Sequence, residues 1–297
     1  MVIGNWFKKD WFKEGNDWFD KKDFAKAFEC YEKWLDTSYV LDETASEIIL
    51  ANCNSALRAN PNDAQAWRFK GIAYSEIENH LEAIKCYDKE IELKPNSERA
   101  YNNKGISLDD LGKYEEAIKC YDKAIELKKD FAAAHNNKGV TLNNLDRNGE
   151  AIECFKKAIS IDSNFSSAHY CLGLSYCSMD ELEKGIVHLE KAIKLGCNDR
   201  DGAENCLKEA RNVLIEKETA MRKGIKKWLI NNTSMSNNPV LADRFVSNMR
   251  KTNSKCHWDD KHKNIYVASI NSVHAISGDN ESYYLCLDCY PHRFWTE

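Results

Sequence analysis

Four residues near the end of the chain have the types and spacing of a metal site. Cys286-x-x-Cys289 puts two thiols on one tight turn, close enough to chelate, and Cys256 with His292 would complete a tetrahedral set for one structural zinc. His262 is an alternative fourth ligand, whereas the adjacency of His257 to Cys256 strains simultaneous ligation. The opposing reading is of ordinary reduced cysteines among strands, since the first half of the set offers Cys256 alone and no glycine follows Cys289. Both readings stand at the level of sequence. Catalytic patterns are absent: there is no Gly-x-x-x-x-Gly-Lys phosphate loop, no His-Glu-x-x-His, no Gly-x-Ser-x-Gly elbow and no dinucleotide fingerprint. Asp199-Arg200-Asp201-Gly202 has a calcium-loop flavour, but with Gly202 as the loop glycine Cys197 and Lys208 fall at the terminal ligand positions, so a helix cap is the better account. No reaction is suggested, and the chain is expected not to be an enzyme.

The other residues with chemistry to offer are polar and recurrent. Asn102-Asn103 returns as Asn136-Asn137, with Asn143-Asn144 following. An asparagine presents a donor and an acceptor together, which suits the main chain of an extended peptide. The recurrence belongs to a wider pattern. Gly71, Gly105, Gly139 and Gly173 lie 34 residues apart, as do Cys86, Cys120 and Cys154, and Ala83, Ala117 and Ala151. Such a fixed period marks a stacked-repeat protein. Each unit holds two runs of helical periodicity split by a short polar turn. Trp67, Gly71 and Tyr74 make the first run, and Leu81, Ala83, Ile84, Tyr87 and Ile91 the second, with Pro95 ending it. One such hairpin cannot cover its own apolar face, so copies must stack.

These units resemble the tetratricopeptide repeat family. Trp67-x-x-Lys70-Gly71-x-x-Tyr74, Ala83-x-x-x-Tyr87 and Pro95 follow its pattern, with Lys70 where leucine is usual. Tyr101, Gly105, Leu108, Ala117, Tyr121 and Ala124 form the next copy. His135, Gly139, Leu142, Ala151, Phe155 and Ala158 follow, then His169, Gly173, Tyr176, Gly185, Leu189 and Ala192. Upstream, Trp11, Gly15, Trp18, Ala27, Tyr31 and Trp34 keep every interval. Two departures need a physical answer. Lys70, Lys104 and Lys138 replace leucine, and Glu90 takes the slot of Ala124 and Ala158, where it needs exposure or a partner.

The resemblance implies a mainly α solenoid of about five helix hairpins, acting as a protein–protein interaction scaffold that holds a peptide in the groove of its first helices. Groove-facing candidates are Arg68, Asn102, Asn103, Asp109, Asn136, Asn137, Asn143 and Asn144. Family members that bind the Glu-Glu-Val-Asp tails of heat-shock chaperones resemble one another in a clamp of lysine, asparagine, asparagine, lysine and arginine. Those places here hold Arg68, Ile72, Asn103, Ala133 and Asn137, or one repeat on Asn102, Ile106, Asn137, Ser167 and Cys171. Most of the positive charge is missing, so a neutral or mixed ligand is expected instead.

The expected organisation is an array over 1–197, with repeats at about 8–41, 64–97, 98–131, 132–165 and 166–197 and an extra helix at about 43–60. A capping helix, or two in series, is expected over 198–232, with an apolar stripe from Ala203 to Trp228. Beyond the Asn/Ser-rich linker that ends at Pro239, residues 239–297 read as a small α+β domain with a helix from Val240 to Arg250 and strands at 265–270 and 282–287. Basic Arg244, Arg250, Lys251, Lys255, Lys261 and Lys263 crowd its approach, interrupted by Asp259 and Asp260. That charge raises an alternative, a nucleic-acid-associated regulator acting through this module.

Composition narrows the classes further. The 43% apolar content is ample for a core, and a formal charge of −5 argues against bulk attraction to nucleic acid. Twelve cysteines suggest a disulfide scaffold, yet Cys30, Cys86, Cys120 and Cys154 occupy one repeat position beside an aromatic, so they read as small reduced core residues. Residues 1–10 lack the sustained apolar stretch of a secretion signal, and no run is long and apolar enough for a membrane span. A cytoplasmic protein with a protein or peptide partner is the simplest expectation.

Overall fold

The structure is a computed structural model that describes residues 10–37 and 43–232, and beyond them 240, 243, 246–247, 250–252, 265–269, 282–286 and 295–296. It divides into two units, Met1–Leu207 and Lys208–Glu297.

In the first unit the helices run α1 (Trp11–Asp20), α2 (Phe24–Thr37), α3 (Glu43–Ala59), α4 (Ala64–Glu76), α5 (His80–Leu93), α6 (Glu98–Asp110), α7 (Tyr114–Leu127), α8 (Ala132–Asn144), α9 (Asn148–Ile161), α10 (Ser166–Ser178) and α11 (Leu182–Leu195). Residues 64–197 are thus eight helices in four hairpins, as the period requires. Consecutive pairs from α4/α5 to α10/α11 form the hairpins, and each second helix also packs on the first helix of the next unit. The helices start where side chains can satisfy free amides: Asp63 accepts from Gln65 N and Ala66 N, Asn79 from Glu82 N, and Ser97 from Ala100 N.

Packing follows the repeat. Gly71 faces Tyr87, Gly105 faces Tyr121, Gly139 faces Phe155 and Gly173 faces Leu189, each too closely to admit a side chain. The aromatics fill the space that the glycines leave, and all four facing residues are buried. The extra helix α3 packs on α4 as α5 does on α6. It also reaches back to the first hairpin: Asn52 Nδ2 donates to Tyr31 Oη at 2.7 Å and to Asn16 Oδ1 at 3.1 Å. Phe28 and Phe69 stack at 5.1 Å in the apolar cluster that joins α1 to α4.

The lysines in place of leucine are paired. Lys104 bonds Asp88 and Lys138 bonds Asp122, both at 2.6 Å, so each ties a first helix to the second helix of the preceding unit. Lys70 lies over the rings of Trp67 and Tyr74. The recurrent thiols are in no disulfide, and burial pushes Cys86 up to about 11 and raises Cys120 and Cys154. Such groups stay protonated near neutral pH and behave as small apolar side chains.

A single helix, α12 (Arg200–Asn232), follows the array. Asp199 caps it, accepting from Gly202 N at 2.9 Å and from Tyr170 Oη at 2.7 Å, so the acidic cluster is a cap. No described helix is long and apolar enough to cross a membrane. In the second unit Arg222 donates to the Val246 carbonyl at 2.6 Å and Lys226 pairs with Asp243 at 2.5 Å. Four short strands, β1 (Arg250–Thr252), β2 (Ile265–Ser269), β3 (Ser282–Cys286) and β4 (Trp295–Thr296), pair antiparallel in the order β1-β2-β3-β4. Ile265 is the register partner of Cys286. The linker residues 233–239, most of the helix expected over 240–250, and the expected ligands Cys256, Cys289 and His292 lie outside the described residues.

Candidate peptide-binding face

The polar residues of the first helices do two things, and the structure separates them. One set stitches successive repeats together. Asn137 Nδ2 donates to Asn102 Oδ1 at 3.1 Å, between α8 and α6, and Asn143 Nδ2 donates to Ser175 Oγ at 2.8 Å, between α8 and α10. Thr141 donates to Asp109, and the Ser75 and Ser107 hydroxyls meet at 3.3 Å. Asn102 and Asn136 lean on their neighbours, donating to Asn103 and Asn137. Burial raises the Asp109 carboxyl against the pull of its Thr141 bond.

That arrangement corrects the simplest expectation for three candidates. Arg68, Asn102 and Asn136 are 8%, 6% and 7% exposed. Asn103, Asn137 and Asn143 are half-buried, and Asn144 is exposed. Buried amides here set the spacing of the repeats; half-buried ones at their edge keep a side facing outward.

The second set gathers around Glu32 of α2. Its Oε1 accepts from Arg68 of α4 and, at 3.3 Å, from Arg99 of α6. A hollow of about 250 Å³ opens beside this ion pair, lined by Leu35, Phe69, Ile72, Asn103 and Phe131 as well as by the three charged residues. An apolar floor with a few fixed polar groups at its rim is the usual make-up of a recognition pocket. A second hollow of about 280 Å³ shares Glu32, Arg68 and Arg99 with the first and adds Glu90 and Ser97. Glu90 is thus buried, with Ser97 as its hydrogen-bond partner at 2.7 Å.

Glu32, Leu35, Arg99 and Phe131 were not singled out by spacing. A signal for Glu32 was present. It follows Tyr31 as Asp88 follows Tyr87 and Asp122 follows Tyr121, and in all three units that acid bonds a cation on a later first helix.

A family model described as the tetratricopeptide repeat matches residues 98–131 and 132–165, and a second model of the same description matches 51–98. With the paired helices and the glycine–aromatic crossings, this decides the matter. Residues 51–165 are tetratricopeptide repeats. No curated protein matches the chain significantly. Among solved structures, the Cut9–Hcn1 hetero-tetramer of the APC/C superposes with a TM-score of 0.53 at 18% identity, over 67% of this chain and 42% of that one. That likeness is one of fold. MamA matches at 24% identity with a TM-score of 0.45, over 61% of this chain and 93% of its own. YrrB, described as a TPR protein with an unusual peptide-binding site, matches at 21% identity with a TM-score of 0.45, over 69% and 98%. Tetratricopeptide repeats are in general a protein-interaction architecture, and this chain is built as such a scaffold.

Proposed function

We propose that the array binds an extended peptide segment of a partner protein along the face of its first helices, centred on α4, α6 and α8. The observation that carries the reading is the hollow between Glu32, Arg68, Arg99, Asn103 and Phe131, where an apolar floor meets polar groups already held in place. Preorganised groups of this kind lose little freedom on binding, so their contacts count towards affinity. Arg68 and Arg99 are both engaged by Glu32, so the face has little free positive charge for a carboxylate clamp. A neutral or mixed peptide fits it better than an acidic tail.

A random peptide library displayed on phage and panned on the full chain tests this. Recovered peptides should bind in solution and lose affinity when Asn103→Ala is combined with Arg99→Glu. Failure to enrich any peptide, or binding untouched by the double substitution, would count against the face.

For the C-terminal residues we propose an α+β module held by one structural zinc on Cys256, Cys286, Cys289 and His292. The Cys-x-x-Cys spacing supports it, as does Cys286 ending a strand, β3, of a sheet whose strands are five residues or shorter. Metal analysis of the full chain, purified without a histidine tag, should find zinc near one equivalent that Cys286→Ser removes. A metal-free, fully folded chain would refute the site.

A further inference from the structure

Glu90 stands on α5 where the next two repeats carry Ala124 and Ala158. It is 2% exposed. Ser97 Oγ satisfies one carboxylate oxygen at 2.7 Å while itself accepting from Ala100 N. The other oxygen, Oε2, is buried and has no hydrogen-bond partner among the described residues. An orphaned acceptor on a charged group is costly, and an alanine would avoid the cost. Burial raises the carboxyl, Ser97, Arg68 and Lys94 pull it back, and Glu98 raises it again.

The hollow of about 280 Å³ lined by Glu90 also takes in Glu32, Arg68, Lys94, Glu98 and Arg99. Its cations are unevenly spent. Arg68 and Arg99 converge on the same oxygen of Glu32. Neither Glu90 nor Glu98 has an ion-pair partner among the described residues. A group bringing both an N–H donor and positive charge answers both deficits, because charge-assisted hydrogen bonds to carboxylate are about twice as strong as neutral ones.

We propose that Glu90, with Glu98 at its rim, recognises one basic side chain, lysine or arginine, of the peptide bound along the first-helix face. This rests on the peptide-binding function proposed above and adds a requirement that the bound sequence must meet. The two hollows share Glu32, Arg68 and Arg99, so a peptide seated against Phe131 and Ile72 in the first lies next to the second.

The test runs the same phage library on the full chain and on its Glu90→Gln and Glu90→Ala forms. Gln keeps an acceptor for Ser97, and Ala is the residue of the equivalent slots, so a folding failure of one leaves the other. Peptides from the parent chain should share a lysine or arginine at one position. That preference should vanish on both variants, and a synthetic parent-selected peptide should bind them about tenfold more weakly or worse. Peptides enriched without a basic position, with asparagine or glutamine there instead, or with an unchanged basic preference on the variants, would overturn the Glu90 site while leaving peptide binding intact. No enriched peptide on any form would overturn both.

Discussion

A methyl group at Gly105 would stand 2.6 Å from Cε1 of Tyr121 on the facing helix, well inside contact distance. The same relation joins Gly15 to Tyr31, Gly71 to Tyr87 and Gly139 to Phe155. Four of the hairpins are therefore keyed by one missing side chain and one ring, and the fifth by Gly173 against Leu189. Gly105→Ala is expected to cost about 1–3 kcal/mol of overpacking, and Gly105→Leu more, because Tyr121 is buried and has nowhere to go. Thermal unfolding of the full chain checks this; an unchanged melting temperature in Gly105→Leu would contradict the packing.

The turn inside each hairpin demands a left-handed residue. Gly112 supplies it at φ 73°, whereas Glu78, Asp146 and Asp180 are held there at 58°, 58° and 64°. A side chain in that region costs about 1–2 kcal/mol. Glu78→Gly is expected to stabilise the chain by about 0.5–1 kcal/mol, and Gly112→Ala to destabilise it by about as much. Denaturant titration of both substitutions should move the midpoint in opposite directions; shifts of the same sign would refute the account.

The spacing of glycine, alanine and aromatic residues was enough to place all eight helices from 64 to 197, because a close crossing leaves a periodic trace in the sequence. Long-range pairing leaves a fainter one, the acid that follows Tyr31, Tyr87 and Tyr121, which does not name its partner. Glu32 meets Arg68 and Arg99 at separations of 36 and 67 residues, across an inserted helix that breaks the period. The candidate asparagines were visible as a recurrent type, but type alone does not say that Asn102 is buried and Asn103 half-open. The turns at Glu78, Asp146 and Asp180 were legible as turns, not as left-handed ones, since no glycine marks them.

Acid should loosen the fifth hairpin first. His169 Nδ1 and His188 Nδ1 lie 3.0 Å apart, one donating and one accepting, with His169 Nε2 against the Ser163 carbonyl. Burial lowers both imidazoles from 6.5. His169 is raised by Ser163, lowered by Lys191 and raised by Asp162, while His188 is lowered by His169 and Lys156. A base with a depressed folded pKa contributes stability above its unfolded value and loses it as pH falls through the folded one. The melting temperature should therefore drop from about pH 7 to about pH 5, and His188→Gln should flatten the decline. An identical decline in that variant would exclude the pair as its source.

Chaperone tails should not bind strongly. The places of the clamp hold Arg68, Ile72, Asn103, Ala133 and Asn137, and the sole cation among them is engaged by Glu32. Calorimetry with a Glu-Glu-Val-Asp peptide is expected to show no micromolar binding. Micromolar affinity abolished by Asn103→Ala would reverse the assignment of ligand class.

The central claim is that a peptide lies on the first helices, and photo-crosslinking tests it most directly. A library-selected peptide carrying a benzophenone is bound to the full chain, irradiated, and the adducts mapped by mass spectrometry. Adducts are predicted on α4, α6 and α8, around Ile72, Asn103 and Phe131 beside the Glu32 ion pair. Adducts confined to the exposed faces of the second helices, at Lys85, Lys119 or Glu153, would contradict it.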